Sequence, residues 1–202
     1  MHVLSRKRSR HPNVIGALIL GWVLAVGFGM RTLIVYANTP GTSARAPQEL
    51  PRDFPRGAYG APILIMFAHP QCACSKSSIG ELSWVLAHCS TKPKVTVFFY
   101  YPREQGEAWA RTDLWTSATS IPGVSAIADR DGRTAREFGA STSGQVMLYD
   151  GRGQLQFNGG ITASRGHFGG NAGSDALVAL LSGAGPGLRA APVFGCSLRA
   201  PE

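Results

Sequence analysis

The feature that most constrains this chain is an uncharged, apolar run from Val14 to Met30. After Arg31 and Thr32 the run continues through a second apolar stretch that ends at Ala37. As a helix rising about 1.5 Å per residue, residues 14–37 would reach about 36 Å, enough to cross the hydrocarbon core of a membrane. We therefore predict that residues 14–37 form a transmembrane anchor or a signal segment.

The positive charge of the chain is concentrated before this run and just after it. The net charge is +8, and residues 1–48 hold six basic residues and no acidic one, which leaves +2 from Glu49 onward. The six are Arg6, Lys7, Arg8, Arg10, Arg31 and Arg45. A nearly neutral domain lacks the basic surface that binds nucleic acid, so we expect no nucleic-acid partner. Basic flanks stay in the cytoplasm, so residues 1–13 are predicted as a cytoplasmic segment and the rest is predicted to be exported.

The apolar segment has two interpretations, which differ in whether it is cleaved after export. Val35-Tyr36-Ala37 has the residue types of a signal-peptide cleavage site, so removal after export is one of them. The run is long for a signal peptide and contains Arg31, which favours an uncleaved anchor. Both readings place the remaining chain outside the cytoplasm. We expect a single pass through a bacterial inner membrane, with the C-terminal domain in the periplasm, where disulfides persist.

The exported part divides by composition into three segments. Residues 38–57 are rich in Pro, Gly, Ala and Arg without an apolar period, which predicts a flexible linker. Residues 58–183 contain apolar strand patterns that alternate with helical ones, and Asp150-Gly151-Arg152-Gly153 indicates a hairpin. This order is typical of an α/β domain with a mixed sheet flanked by helices. Residues 184–202 are predicted as a C-terminal tail that carries Cys196.

Two cysteines lie where a predicted buried strand passes into a predicted helix. Cys72 and Cys74 follow the apolar run 62–67, and helical spacing begins at Ser75. The N–H groups and dipole of a helix N-terminus stabilise a thiolate, so one of these thiols should have a lowered pKa. His69 precedes the pair and could tune their pKa values or bind a metal. Cys89 is most simply a packed residue, although a bond to Cys196 is also compatible with the sequence.

These segments resemble the thioredoxin-like superfamily over residues 58–183. The resemblance is carried by Leu64 to Ser75, by Asp129-Arg130-Asp131-Gly132 with Phe138-Gly139, and by the hairpin from Val146 to Gly153. Within the superfamily, the chain most resembles the membrane-anchored, exported branch that includes TlpA-like and peroxiredoxin-like proteins. More narrowly, His69 to Ser75 and Pro192 to Cys196 resemble the RedB-like proteins. The resemblance implies a thioredoxin-like mixed sheet preceded by one transmembrane helix.

The chain departs from the thioredoxin pattern at two positions. The family has two residues between its cysteines, whereas this chain has one, which puts Ser75 in the resolving position. The family's cis-proline before the hairpin strand is replaced by Gly144. A disulfide between Cys72 and Cys74 would be strained and therefore easily reduced, and Cys74 could instead pair with Cys196.

The leading hypothesis is a thiol–disulfide oxidoreductase in which Cys72 attacks and Cys74 resolves. His69, Ser75, Gly144 and Cys196 are expected to modulate this dithiol. The chemistry requires no cofactor, and the expected partners are exported proteins with thiols or disulfides.

The first alternative is a copper-binding module or metallochaperone that serves a copper-protein assembly pathway. His69, Cys72, Cys74 and His167 offer the soft donors that suit copper. The chain resembles the Sco proteins in its anchor and its cysteine placement. Sco proteins have three residues between their cysteines and a histidine before the hairpin strand, where this chain has Thr142 and Ser143. The second alternative is a non-catalytic interaction module of the same fold.

Overall fold

The computed structural model describes residues 12–42, 45–55, 60–185 and 187–199. The chain divides into two compact units, one up to Tyr36 and one from Ala37 onward. The first unit consists, where it is described, of the helix α1, Pro12–Asn38, up to Tyr36. The part of α1 from Val14 onward is long and apolar enough to cross a membrane, and its apolar side chains are exposed. An N-terminal helix with the length and composition needed to span a membrane is therefore confirmed. An uncleaved anchor and a signal segment both have this length and composition.

The second unit is built on one six-stranded mixed sheet with the order β3-β2-β1-β4-β5-β6. Its strands are β1 Ile63–Ala68, β2 Lys94–Tyr101, β3 Val124–Arg130, β4 Gln145–Tyr149, β5 Leu155–Gly159 and β6 Ala190–Ala191. Its helices are α2 Ala73–His88, α3 Asp113–Thr119, α4 Arg133–Glu137 and α5 Ala172–Leu181, with a short 3₁₀ helix at Glu107–Ala110. Strands β1, β2 and β3 run parallel, whereas β4 is antiparallel to both β1 and β5. The predicted thioredoxin-like fold class is confirmed.

The central strand β1 is buried along its whole length because both faces of the sheet are covered. Successive side chains of a strand point to opposite faces. Leu64 and Met66 therefore enter the core cluster that includes α2 and α5, whereas Ile65 and Phe67 enter the second cluster around Phe138. This arrangement explains why β1 is a continuous apolar run in the sequence rather than an alternating one.

The segment predicted as a flexible linker, residues 38–57, is packed over much of its described length. Ala46 and Leu50 are buried in the second core cluster. The backbone N–H of Leu50 donates to Gly153 O at 2.8 Å, and the N–H of Leu155 donates to Gln48 O at 2.9 Å. The linker prediction is wrong for residues 45–55, because their few apolar side chains cover the sheet next to the hairpin. Residues 43, 44, 56 and 57 lie outside the described part.

The predicted tail, residues 184–202, continues the domain past α5. Strand β6 pairs with β5, and Val193 and Leu198 are buried. Beyond β6 the chain runs beside the segment that leads into β4, where an isolated antiparallel bridge joins Thr142 and Ser197. The domain thus extends at least to residue 199, the last described residue.

Candidate functional site

Cys72 lies at the N-terminus of α2, directly after the loop that leaves β1. It is the N-cap residue, with an extended backbone, and its carbonyl oxygen accepts from the N–H of Ser75 at 2.9 Å. The N–H of Cys72 donates to His69 O at 3.1 Å, which closes the loop. Cys72 is 2% exposed, and Cys74 in the first turn is partly exposed. The strand–helix junction predicted for the pair is where the structure places it.

A third cysteine joins this pair from the C-terminal end of the domain. The sulfur atoms of Cys72 and Cys196 lie 2.7 Å apart and are hydrogen-bonded. The sulfur atoms of Cys72, Cys74 and Cys196 all lie within 4.8 Å of one another. All three residues are free thiols. The site is therefore a cluster of three thiols rather than a pair, and we call it the three-thiol cluster.

Backbone pairing fixes the position of Cys196. Its carbonyl oxygen accepts from the N–H of Ser143 at 2.8 Å, and the N–H of Leu198 donates to Ser141 O at 2.9 Å. The guanidinium of Arg165 donates to the carbonyl oxygen of Gly195. Residues 195–198 thus form a short strap, held antiparallel to residues 141–143 on one side and by an arginine on the other.

The three thiols differ in their electrostatic environment. Burial favours the neutral form of Cys72, but hydrogen bonds from Cys196, then Ser75 and the backbone of Cys74, outweigh it, and the pKa of Cys72 is lowered. Burial raises the pKa of Cys196 to about 12, with further contributions from its hydrogen bond to Cys72 and the charge of Cys72. Burial and the charge of Cys72 also raise the pKa of Cys74. Of the three thiols, Cys72 is therefore the one that ionises most readily.

The segment before β4 is hydrogen-bonded to the end of β1 and to the loop that carries the cysteine pair. The hydroxyl of Ser143 accepts from the N–H of His69 at 2.8 Å and is hydrogen-bonded to the hydroxyl of Ser75 at 2.6 Å. The N–H of Gly144 donates to Phe67 O at 2.8 Å. Gly144 has a φ of +90°, and a Cβ there would come within 2.7 Å of the hydroxyl of Ser78. Ser75 and Gly144 therefore lie in the framework of the site.

The two histidines predicted as metal ligands do not join the three-thiol cluster. The ring of His69 stacks on Tyr100 and meets the edge of Trp109, and its Nδ1 accepts from the N–H of Gln71 at 3.2 Å. Burial lowers the pKa of His69, which favours the neutral form of its ring. His167 is exposed in the loop before α5. Among the residues that the structure describes, the cluster that could hold a metal consists of Cys72, Cys74 and Cys196.

The structure therefore brings together a different set from the predicted ligands: Cys196 joins Cys72 and Cys74, whereas His69 and His167 lie outside the cluster. The sequence offered Cys196 as a partner for Cys74, but not as the residue that contacts Cys72. The sequence signal for Cys196 was the short motif from Pro192 to Cys196. Its position in space depends on backbone pairing with the segment before β4, and its sulfur contact is with a residue 124 positions away. Cys89, in contrast, is buried in the first core cluster at the end of α2.

No protein-family model and no curated protein matches this chain. Similar solved structures include an uncharacterized conserved protein from Geobacillus kaustophilus, with a TM-score of 0.58 and 15% identity over 81% of this chain and 93% of that chain. A hypothetical protein from Sinorhizobium meliloti has a TM-score of 0.55 and 18% identity over 79% of this chain and 93% of that one. An exposed lipoprotein thioredoxin from Streptococcus pneumoniae aligns at a TM-score of 0.42 and 13% identity, over 62% and 86%. At these identities the similarity to the first two structures shows the fold alone, a mixed sheet flanked by helices.

Proposed function

We propose that this chain is a membrane-anchored, exported thiol–disulfide oxidoreductase whose attacking residue is Cys72. The observation that carries the proposal is the contact of 2.7 Å between the sulfurs of Cys72 and Cys196 at a helix N-terminus. A thiol held beside the attacking sulfur is placed to resolve the mixed disulfide that Cys72 forms with a substrate. Cys74, in the first turn of the same helix, is the second candidate partner.

The proposed reaction balances as two successive exchanges. The Cys72 thiolate attacks a substrate disulfide, forms a mixed disulfide and releases one substrate thiolate. A second thiol, after losing its proton, then attacks the sulfur of Cys72, which releases the other substrate thiolate and leaves an internal disulfide. The substrate gains two electrons and the protein loses them, and the reverse sequence oxidises a substrate dithiol. Cys196 is our first choice for the second thiol because its sulfur contacts Cys72.

Two further observations support the cellular setting of this proposal. Helix α1 is suited to a single membrane span, and the basic residues before it favour a cytoplasmic N-terminus with the domain in the periplasm. Residues 69–75 and 192–196, which resemble the RedB-like proteins, meet through the sulfurs of Cys72 and Cys196. The expected partners are exported proteins with thiols or disulfides, and the exchange itself requires no cofactor.

A redox titration of the full chain in detergent tests the proposal. The protein is equilibrated in glutathione buffers of graded potential, its free thiols are alkylated, and its disulfides are mapped by mass spectrometry. We expect a reversible transition that involves Cys72 and Cys196 and that Cys72→Ser abolishes. Cys89→Ala is the matched control, since Cys89 is buried outside the cluster and should leave the transition unchanged. Absence of a transition in the unaltered chain would contradict the proposal and favour a non-catalytic interaction module.

A second candidate function is the binding of Cu(I) as cargo for a copper-protein assembly pathway. The observation that favours it is the convergence of three sulfurs within 4.8 Å, because thiolates are preferred ligands of Cu(I). The ligands would be Cys72, Cys74 and Cys196. Anaerobic titration of the reduced chain with Cu(I), against a competing chelator, should show one tightly bound ion and weaker binding after Cys74→Ser. Full affinity in that variant would exclude this set of ligands.

A further inference from the structure

The strap, residues 195–198, lies on the protein as an extended peptide would. Ser143 N–H donates to Cys196 O, Leu198 N–H donates to Ser141 O, and Thr142 bridges Ser197 in the antiparallel sense. Addition of an extended segment to an exposed backbone edge is a general mode of peptide recognition, in which main-chain hydrogen bonds supply affinity. The edge at residues 141–143 is therefore able to bind an extended chain, since it binds one already.

The fit of the strap against this edge is close. A Cβ added to Gly195 would overlap the carbonyl oxygen of Ser143, so the two backbones touch at that point. The strap is anchored by Val193 before it and by Leu198 at its end, each 1% exposed. Between these anchors Ser197 is exposed and Cys196 partly exposed. Releasing the strap would expose one large apolar side chain, that of Leu198, and break two backbone hydrogen bonds.

The strap also places its cysteine next to the sulfur of Cys72, the proposed attacking atom. In the position set by the pairing, the sulfur of Cys196 contacts that of Cys72. A different extended segment paired in the same register would bring its own cysteine to the same point. The strap thus has both properties that a protein substrate of this site needs, a backbone that pairs with residues 141–143 and a sulfur at Cys72.

We propose that the strap is an internal occupant of the substrate-binding edge, and that substrates are extended polypeptide segments whose cysteine takes the place of Cys196. This inference rests on the proposed function. The substrate segment displaces the strap, and the Cys72 thiolate attacks its disulfide to form a mixed disulfide. When the strap returns, Cys196 loses its proton and attacks the sulfur of Cys72, which expels the substrate thiolate. Return of the strap is therefore the step that releases the product.

Synthetic peptides with the sequence of residues 193–199 test the inference on the full chain in detergent. The peptide cysteine is activated as a mixed disulfide with a chromophoric aryl thiol, and release of that thiol is followed. The matched control peptide carries an N-methyl group at its leucine, which removes the N–H that Leu198 donates to Ser141. We expect the control to react roughly tenfold more slowly, as for the loss of one well-placed hydrogen bond. Equal rates would overturn the inference.

A second experiment removes the strap from the edge without changing a thiol. Gly195→Ala should unseat the strap by overlap with Ser143, whereas Gly187→Ala is a matched control, because a Cβ at Gly187 meets no atom within 4 Å. We expect Gly195→Ala to react with the peptide faster than Gly187→Ala, by a factor larger than any difference between the two variants in their rates with glutathione disulfide. Equal peptide rates in the two variants, with circular dichroism showing both folded, would refute the inference. Absence of reaction of the unaltered chain with either disulfide would instead refute the proposed function.

Discussion

Replacement of Ser143 by alanine tests whether the segment before β4 holds the cysteine loop in place. Ser143 is 1% exposed, and its hydroxyl is hydrogen-bonded to the N–H of His69 and to the hydroxyl of Ser75. Losing the bond to Ser75 should cost about 1 kcal/mol, and leaving the half-buried amide of His69 without this acceptor about 1–2 kcal/mol more. We expect Ser143→Ala to lower the free energy of unfolding by about 2–3 kcal/mol.

Urea denaturation of the full chain in detergent, under reducing conditions, measures this change. Tryptophan fluorescence is a suitable signal because Trp109 packs against the ring of His69 with a centroid separation of 5.4 Å. Ser83→Ala, on the exposed face of α2, is the control and should change the free energy of unfolding by less than about 0.5 kcal/mol. If the two variants unfold with free energies within about 0.5 kcal/mol of each other, the bracing role assigned to Ser143 is wrong.

Three further predictions address the packed N-terminal segment, the second thiol and the anchor. Leu50→Ala should lower the free energy of unfolding by about 2–4 kcal/mol, because Leu50 is 3% exposed in the second core cluster; a cost near zero would mean that this segment does not pack. Cys196→Ser should prolong the life of the mixed disulfide between Cys72 and glutathione, measured by mass spectrometry after acid quenching; unchanged decay would assign the second step to Cys74. Deleting residues 12–38 should move the protein from the membrane to the soluble fraction, unless mass spectrometry shows that the mature chain already lacks them.

The sequence predicts the strands and the junction well because these features depend on local patterns. A buried parallel strand needs a continuous apolar run, which Ile63 to Ala68 supply, and the helix that follows begins at the cysteine pair. The same logic finds the spanning helix from its length and lack of charge. Each of these features is visible within a window of about 25 residues or fewer.

The features that sequence reasoning misses depend on contacts between distant parts of the chain. Residues 45–55 show no apolar period, yet Ala46 and Leu50 fill a gap beside a hairpin about 100 positions away. The side chains that lie together at the site differ from the predicted metal-ligand set for a similar reason. Proximity in the sequence favoured His69, but aromatic contacts with Tyr100 and Trp109 hold its ring, whereas Cys196 arrives through backbone pairing.

The separation of 124 residues between Cys72 and Cys196 has a consequence for biosynthesis. At a synthesis rate of about 5–20 residues per second, Cys196 is made roughly 6–25 s after Cys72. For that interval the nascent chain carries Cys72 and Cys74 without the third thiol, and strands β2 to β5 must be made before residues 141–143 can receive it. Every newly made chain thus passes through a period in which Cys72 has no contact with Cys196, and the synthesis of residues 195–198 ends that period.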